Sequence, residues 1–364
     1  MIKFSPAFAG HVALKALPAY IPGKPIEELE RELGIKGAIK LASNENPLGY
    51  SPKGMSALSD TIGSISRYPD GNAFLLRAAL AQKWNVKSNC VVMGNGSDEI
   101  ISLVTRALLL PDDTAIMADP SFSIYRLNTL ACHANPIVIP LKEGRHDLPR
   151  MAKAVTQKTK IIFICNPNNP TGTIVYRKEV EQFLVHLPKH ILVVFDEAYA
   201  EYATSPDFPH SDSLLKKGAP IIFLRTFSKL YGLAGLRVGY GIGPEDLIDI
   251  LNRLRQPFNV NTLAQQAALA ALSDDDHIKK SLALNEKGKH YLYRQFDTMG
   301  ISYLPTEANF IYFELPTAKS IYNALLKRGV IIRHLEGTSL RVSTGTMGEM
   351  WRFIRALKEV LIAK

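Results

Sequence analysis

Lys229 sits in a setting that could make it a nucleophile. It follows an apolar run (Ile221, Ile222, Phe223, Leu224), stands beside Ser228, and precedes a glycine-punctuated stretch carrying Arg237. Burial and a second cation both lower an ammonium pKa. A neutral amine is what attacks a carbonyl to form a Schiff base. A surface lysine opening a loop would have the same local sequence, since lysines are mostly exposed.

Four other segments bear on that choice. Asp196, in Asp196-Glu197-Ala198-Tyr199, ends the most apolar run of the chain. A carboxylate there is costly unless paired; a protonated ring nitrogen would pair it, or it could cap a following helix. In Asn166-Pro167-Asn168-Asn169-Pro170-Thr171-Gly172 the prolines could hold Asn169 rigidly, aiming its amide at a ligand, or form only a structural turn. Met93-Gly94-Asn95-Gly96-Ser97-Asp98-Glu99 could bring backbone N–H groups and a helix dipole to a phosphate. It could equally be a helix start capped by Ser97 or Asp98. Phe122 could stack on a flat ligand or fill the core.

These residues need strands to hold them. Short apolar runs at 91–93, 114–117, 136–139, 161–165, 191–195 and 221–224 alternate with amphipathic, helix-length segments. That pattern predicts a mostly parallel sheet with helices on both faces, and such sheets bind ligands beyond the carboxyl ends of their strands. All the candidates named above lie there. Before the sheet come a short helix over 26–33 and turn clusters at 41–49 and 67–71. After residue 257 the spacing predicts a long helical region to about 299. A smaller α/β layer follows, with strands at 302–304, 310–313, 330–333 and 339–343 and helices at 318–327 and 348–361.

Composition narrows the class. A chain of 364 residues, 46% apolar, can bury a large core and divide into two domains. No run has the length of a membrane helix, and residues 1–20 lack a signal-peptide pattern. Cys90, Cys132 and Cys165 lack metal spacing and suit a reducing cytoplasm. The net charge is +9, but the basic residues are scattered, which argues against nucleic acid. A mild positive field suits small anionic substrates.

Taken together, Asn169-Pro170-Thr171-Gly172, Asp196-Glu197-Ala198-Tyr199 and Ser228-Lys229 with Arg237 resemble the fold-type I pyridoxal phosphate aminotransferases. Ser43-Asn44-Glu45-Asn46-Pro47, Pro257-Phe258-Asn259-Val260-Asn261 and Ala234-Gly235-Leu236-Arg237 are similar to the histidinol-phosphate branch. The resemblance implies pyridoxal phosphate held by Gly96, Ser97, Asp98, Thr226, Ser228 and Arg237 at its phosphate end. Phe122 would lie on the ring, Asp196 at the ring nitrogen, and Asn169 and Tyr199 at O3′. Lys229 would be the Schiff-base lysine and proton carrier, with Asp196 and Tyr199 completing the catalytic set. It further implies a homodimer in which Tyr68 reaches the partner subunit's site. Arg341, with Arg333 and Asn169, would bind the substrate anion.

The implied reaction is transamination between histidinol phosphate and 2-oxoglutarate. A lyase like threonine-phosphate decarboxylase and a broad aromatic aminotransferase would keep the same cofactor residues. Tyr50, Ser121 and Val342-Ser343-Thr344-Gly345 depart from the branch pattern, leaving substrate choice open. The implied organisation is an arm with a small-domain segment (1–45), a large cofactor-binding domain (46–257), and a connecting helix with a small domain (258–364).

Overall fold

The computed structural model describes residues 23–362. The earlier part of the expected arm, and the stretch read for a signal peptide, lie outside the described residues. The strands in chain order are β1 (Ile39–Lys40), β2 (Val91–Gly94), β3 (Thr114–Asp119), β4 (Asn135–Pro140), β5 (Thr159–Cys165), β6 (Leu192–Asp196), β7 (Ile221–Thr226) and β8 (Gly239–Ile242). They continue with β9 (Ser302–Leu304), β10 (Phe310–Glu314), β11 (Val330–Ile331), β12 (Arg333–His334) and β13 (Ser339–Ser343).

A seven-stranded sheet, ordered β2-β8-β7-β6-β5-β3-β4, forms the centre. It is parallel except for β8, which runs antiparallel to β2 and β7. Its middle strands read as unbroken apolar runs because both faces are covered. Val193, Phe195, Ile221 and Phe223 point into one core and Val194, Ile222 and Leu224 into another. Emptying such a position, as in Phe195→Ala, would cost about 3–5 kcal/mol.

Sequence periodicity missed β8 altogether. Gly239 and Gly241 give it a loop-like composition, yet the backbone around Gly239 requires a glycine there: a Cβ would lie 2.6 Å from the Ser97 nitrogen. Two expected elements are divided. The long helical region is Thr262–Ala271 and Asp275–Met299, separated where Asp274 caps the second helix by accepting from the His277 N–H. The expected strand at 330–333 is two short ones. β11 pairs with β1, and β12 with β13, because the chain changes sheets at Ile332.

The smaller layer has antiparallel strands ordered β12-β13-β10-β9. Its core joins Phe296, Phe313, Leu340 and Phe353 with Leu41 from the N-terminal segment. The loop after Leu41 is fastened over the large sheet. Asn46 Nδ2 donates to the Leu230 carbonyl at 2.7 Å and to Ser281 Oγ at 2.9 Å, while Ser51 Oγ donates to Asp274 Oδ2 at 2.5 Å. No described helix is long and apolar enough to cross a membrane.

Candidate active site

Strands β3, β5, β6 and β7 all end at one cleft of about 840 Å³, whose far wall is the β10–β13–β12 face of the smaller sheet. Lys229 lies just beyond β7, where its Nζ donates to the Ser43 carbonyl at 3.1 Å and sits 5.5 Å over the Tyr199 ring. Burial, reinforced by the Arg341 guanidinium, lowers its pKa to about 8. Lys229 is therefore neutral far more often near neutral pH than an ordinary lysine.

Asp196 closes β6, directly beside Cys165 at the end of β5. It is buried, and desolvation lifts its pKa to about 6 despite a 2.7 Å hydrogen bond donated by Tyr125 Oη to Oδ2. It caps no α-helix. Its Oδ1 accepts from the Ala198 N–H at 3.3 Å within a turn.

The loop after β5 is sewn together by Asn168 rather than Asn169. Asn168 accepts from Ser121 Oγ at 2.8 Å and donates to the Pro120 carbonyl and Thr171 Oγ1. That leaves the Asn169 side chain facing the cleft, where its Oδ1 accepts from Arg341 Nη1. Tyr199 is buried against Phe310, ring edge to face, and its Oη accepts from Asn44 Nδ2 at 2.9 Å. Asn44 itself was not among the expected site residues. The available signal was an asparagine, a residue that tolerates left-handed backbone, in a turn rich in Asn and Pro; the structure gives it a φ of 55°.

At the opposite end of the cleft, neither Ser97 nor Asp98 caps the helix Ser97–Leu108. Gly96 occupies the N-cap position, with no side-chain capping bond. The first N–H groups of the helix are thus left for an anion. Arg237 approaches them, with Nη2 4.0 Å from Asp98 Oδ2 and Nη1 3.4 Å from Ser228 Oγ. Thr226 Oγ1 accepts from the Ser228 N–H, fixing the turn. Gly96 has φ +77°, and a Cβ there would lie 2.6 Å from Arg237 Nη2. Phe122 also lines the cleft.

On the far wall Arg341 stands directly opposite Arg333 on β12 and Tyr312 on β10. Its Nη2 donates to the Ala42 carbonyl at 2.6 Å, and its guanidinium lies 5.2 Å from the Phe310 ring. The structure therefore brings Lys229, Asp196, Tyr199, Asn169, Phe122, Ser97, Asp98, Thr226, Ser228, Arg237, Arg333 and Arg341 around one cleft. Tyr68 is not among them. It is 82% exposed and stacks on Phe258, with ring centroids 4.7 Å apart.

The donor set fits a flat, phosphorylated, ring-nitrogen ligand. One end offers helix N–H groups, a hydroxyl and a guanidinium for a dianion, and the other a buried carboxylate that needs a cationic partner. An amine of lowered pKa stands between them.

The chain has well-covered relatives. It is 48% identical over 355 residues to histidinol-phosphate aminotransferase of Moorella thermoacetica, covering 96% of this chain and 92% of the relative. It is 47% identical over 356 residues to histidinol-phosphate aminotransferase 2 of Carboxydothermus hydrogenoformans, covering 96% and 98%. The crystal structure of histidinol-phosphate aminotransferase from Sinorhizobium meliloti, in complex with pyridoxal-5'-phosphate, superposes with a TM-score of 0.90 at 27% identity, covering 98% and 99% of the two chains. The sequence profile described as aminotransferase class I and II spans residues 36–357, and the chain belongs to that family.

Proposed function

We propose that this chain is a pyridoxal phosphate enzyme that transfers an amino group between L-histidinol phosphate and 2-oxoglutarate. The observation that carries the substrate assignment is Arg333 directly across from Arg341 within the cleft that holds Lys229. Two guanidinium groups brought to one cleft concentrate positive charge there, and that suits a ligand with more negative charge than one carboxylate, such as a phosphate ester. The names of the relatives point to the same substrate.

Bound pyridoxal phosphate supplies an electron sink for the substrate's α-carbon. The protein's residues do the rest. Ser97 and Asp98 N–H groups, Ser228 and Arg237 hold the phosphate, with Gly96 and Thr226 shaping that turn. Phe122 packs on the ring. Asp196 keeps a proton on the ring nitrogen, Asn169 and Tyr199 bind O3′, and Lys229 Nζ takes and returns the proton at the α-carbon. Arg341 binds the carboxylate of glutamate or the phosphate of histidinol phosphate, since its planar fork suits either; Arg333 adds a contact to the phosphate.

The working unit in this reading is a cytoplasmic homodimer, with the partner subunit's Tyr68 completing each phosphate site. Support comes from exposed large apolar residues, Ile65, Phe74 and the stacked pair Tyr68 and Phe258. The reading divides the chain near residues 45 and 257. Leu41 in the smaller core supports the first boundary, whereas Val260, Ala264, Ala267, Ala268 and Ala271 still pack in the core of the large sheet, so the helix Thr262–Ala271 goes with the large domain.

The test is to mix the cofactor-loaded protein separately with histidinol phosphate, glutamate, phenylalanine and threonine phosphate and follow cofactor absorbance. Conversion to the pyridoxamine form by histidinol phosphate and by glutamate is expected. Equally fast conversion by phenylalanine would make it a broad aromatic aminotransferase. Carbon dioxide released from threonine phosphate would make it a lyase. No conversion by histidinol phosphate would refute the assignment.

A further inference from the structure

Tyr125 lies behind the cleft, on the helix Ile124–Ala131, and none of the roles above uses it. It is fully buried. Its ring stacks on Phe163 (4.7 Å, 8°) and meets Phe122 edge to face (5.7 Å, 85°), so its hydroxyl has one fixed direction. That direction is Asp196 Oδ2, 2.7 Å away. Among the described residues the other hydrogen bond to this carboxylate is the longer one from the Ala198 N–H to Oδ1.

We propose that Tyr125 is a positioning residue that anchors Asp196 by one oxygen and leaves the other to pair with the cofactor's ring nitrogen. This rests on the reading of the cleft as a pyridoxal phosphate site. The anchor matters because the carboxylate must be both ionised and aimed. Burial opposes ionisation, Asp98 adds to that opposition, and Lys229 is too weak a counterweight to prevent the rise. A hydroxyl donor favours the charged form without introducing charge of its own. Tyr125 remains a donor because burial, with Asp196 and Cys165 nearby, raises the phenol pKa far above its ordinary range. A lysine or histidine in its place could itself neutralise Asp196 and compete with the ring nitrogen. The tyrosine gives direction while leaving the negative charge to the ligand.

The experiment measures cofactor affinity rather than turnover. Wild type, Tyr125→Phe, Asp196→Asn and the double variant are stripped of cofactor. Each is titrated with pyridoxal phosphate and with its analogue carrying carbon in place of the ring nitrogen. Tyr125→Phe is expected to weaken pyridoxal phosphate binding about tenfold, the scale of one hydrogen bond to a charged group. Binding of the carbon analogue should stay nearly unchanged, and the Asp196→Asn background should erase the effect.

Equal weakening for both compounds, or the same loss with Asn at position 196, would reduce Tyr125 to a packing residue and overturn the proposal. So would unaltered affinity in Tyr125→Phe. Should Tyr125→Phe not fold, 3-fluorotyrosine at position 125 is a stronger donor of nearly the same shape. Tighter pyridoxal phosphate binding is then expected, and equal or weaker binding overturns the idea. Wild-type protein that takes up no pyridoxal phosphate would instead refute the cofactor reading itself, and the proposal with it.

Discussion

Asp196 and Lys229 are each held away from their ordinary pKa, and the consequence for stability follows for Asp196. The folded Asp196 has a pKa of about 6 against an ordinary 3.8. Between those values the folded chain binds more protons than the unfolded one, so stability falls as pH rises through that window. Above pH 6 the cofactor-free protein carries the full cost, about 3 kcal/mol at the usual conversion. Asp196→Asn should therefore raise the melting temperature of the cofactor-free protein at pH 8 and have little effect near pH 3. An equal change at both values would show that desolvation of the charge is not the cause. On the proposed reading, the two arginines differ in which substrate they serve. Each charged hydrogen bond lost costs about 1.5–3 kcal/mol, roughly ten- to a hundred-fold in rate. Single-turnover rates with glutamate and with histidinol phosphate should both fall in Arg341→Ala. In Arg333→Ala the loss should be mainly with histidinol phosphate, and equal slowing with both donors would refute the division.

At the scale of elements, the site depends on how closely β8 approaches the start of the helix Ser97–Leu108. A Cβ on Gly239 would meet backbone on three sides: Ser97 N at 2.6 Å, Gly96 C at 2.8 Å and Arg225 O at 2.9 Å. On Gly241 it would meet only side-chain carbons, at 3.1–3.2 Å. Gly239→Ala should therefore push the helix N-terminus from Arg237 and weaken cofactor binding sharply, while Gly241→Ala leaves it close to wild type. Equilibrium titration with pyridoxal phosphate decides, and similar affinities for the two variants would disprove the argument. This packing also explains what could be read from the sequence. Buried parallel strands such as β6 and β7 announce themselves by their apolar runs, and their ends locate Asp196 and Lys229. β8 does not, because its Gly239 answers to a neighbouring backbone that no local pattern reports. Tyr125 was equally hidden. In sequence it is one residue of an amphipathic helix, and its link to Asp196 exists only once β6 lies beside it.

For the whole molecule, the decisive question is whether one chain makes a complete site. The turn carrying Tyr68 is built to hold a fixed shape. Asp70 accepts from the Asn72 and Phe74 N–H groups, each at 2.8 Å, and Arg255 Nη1 donates to the Gly71 carbonyl at 2.7 Å. These backbone N–H groups hold the Asp70 carboxyl below its ordinary pKa. Such a turn presents Tyr68 outward, stacked on Phe258 and away from the cleft of its own chain. A two-fold dimer makes the same surface meet itself, so Tyr68 of each chain could reach the other's cleft. Mixing Lys229→Ala chains with Tyr68→Ala chains tests this directly. In a hybrid dimer, one site would combine intact Lys229 with an intact tyrosine from the other chain, and the second site would carry both defects. After random exchange about half the dimers are hybrids with one good site of two, so recovery should approach roughly a quarter of wild-type activity. If hybrids form, as shown by mass spectrometry of the intact dimer, and activity stays at the level of the separate variants, Tyr68 does not serve the partner's site.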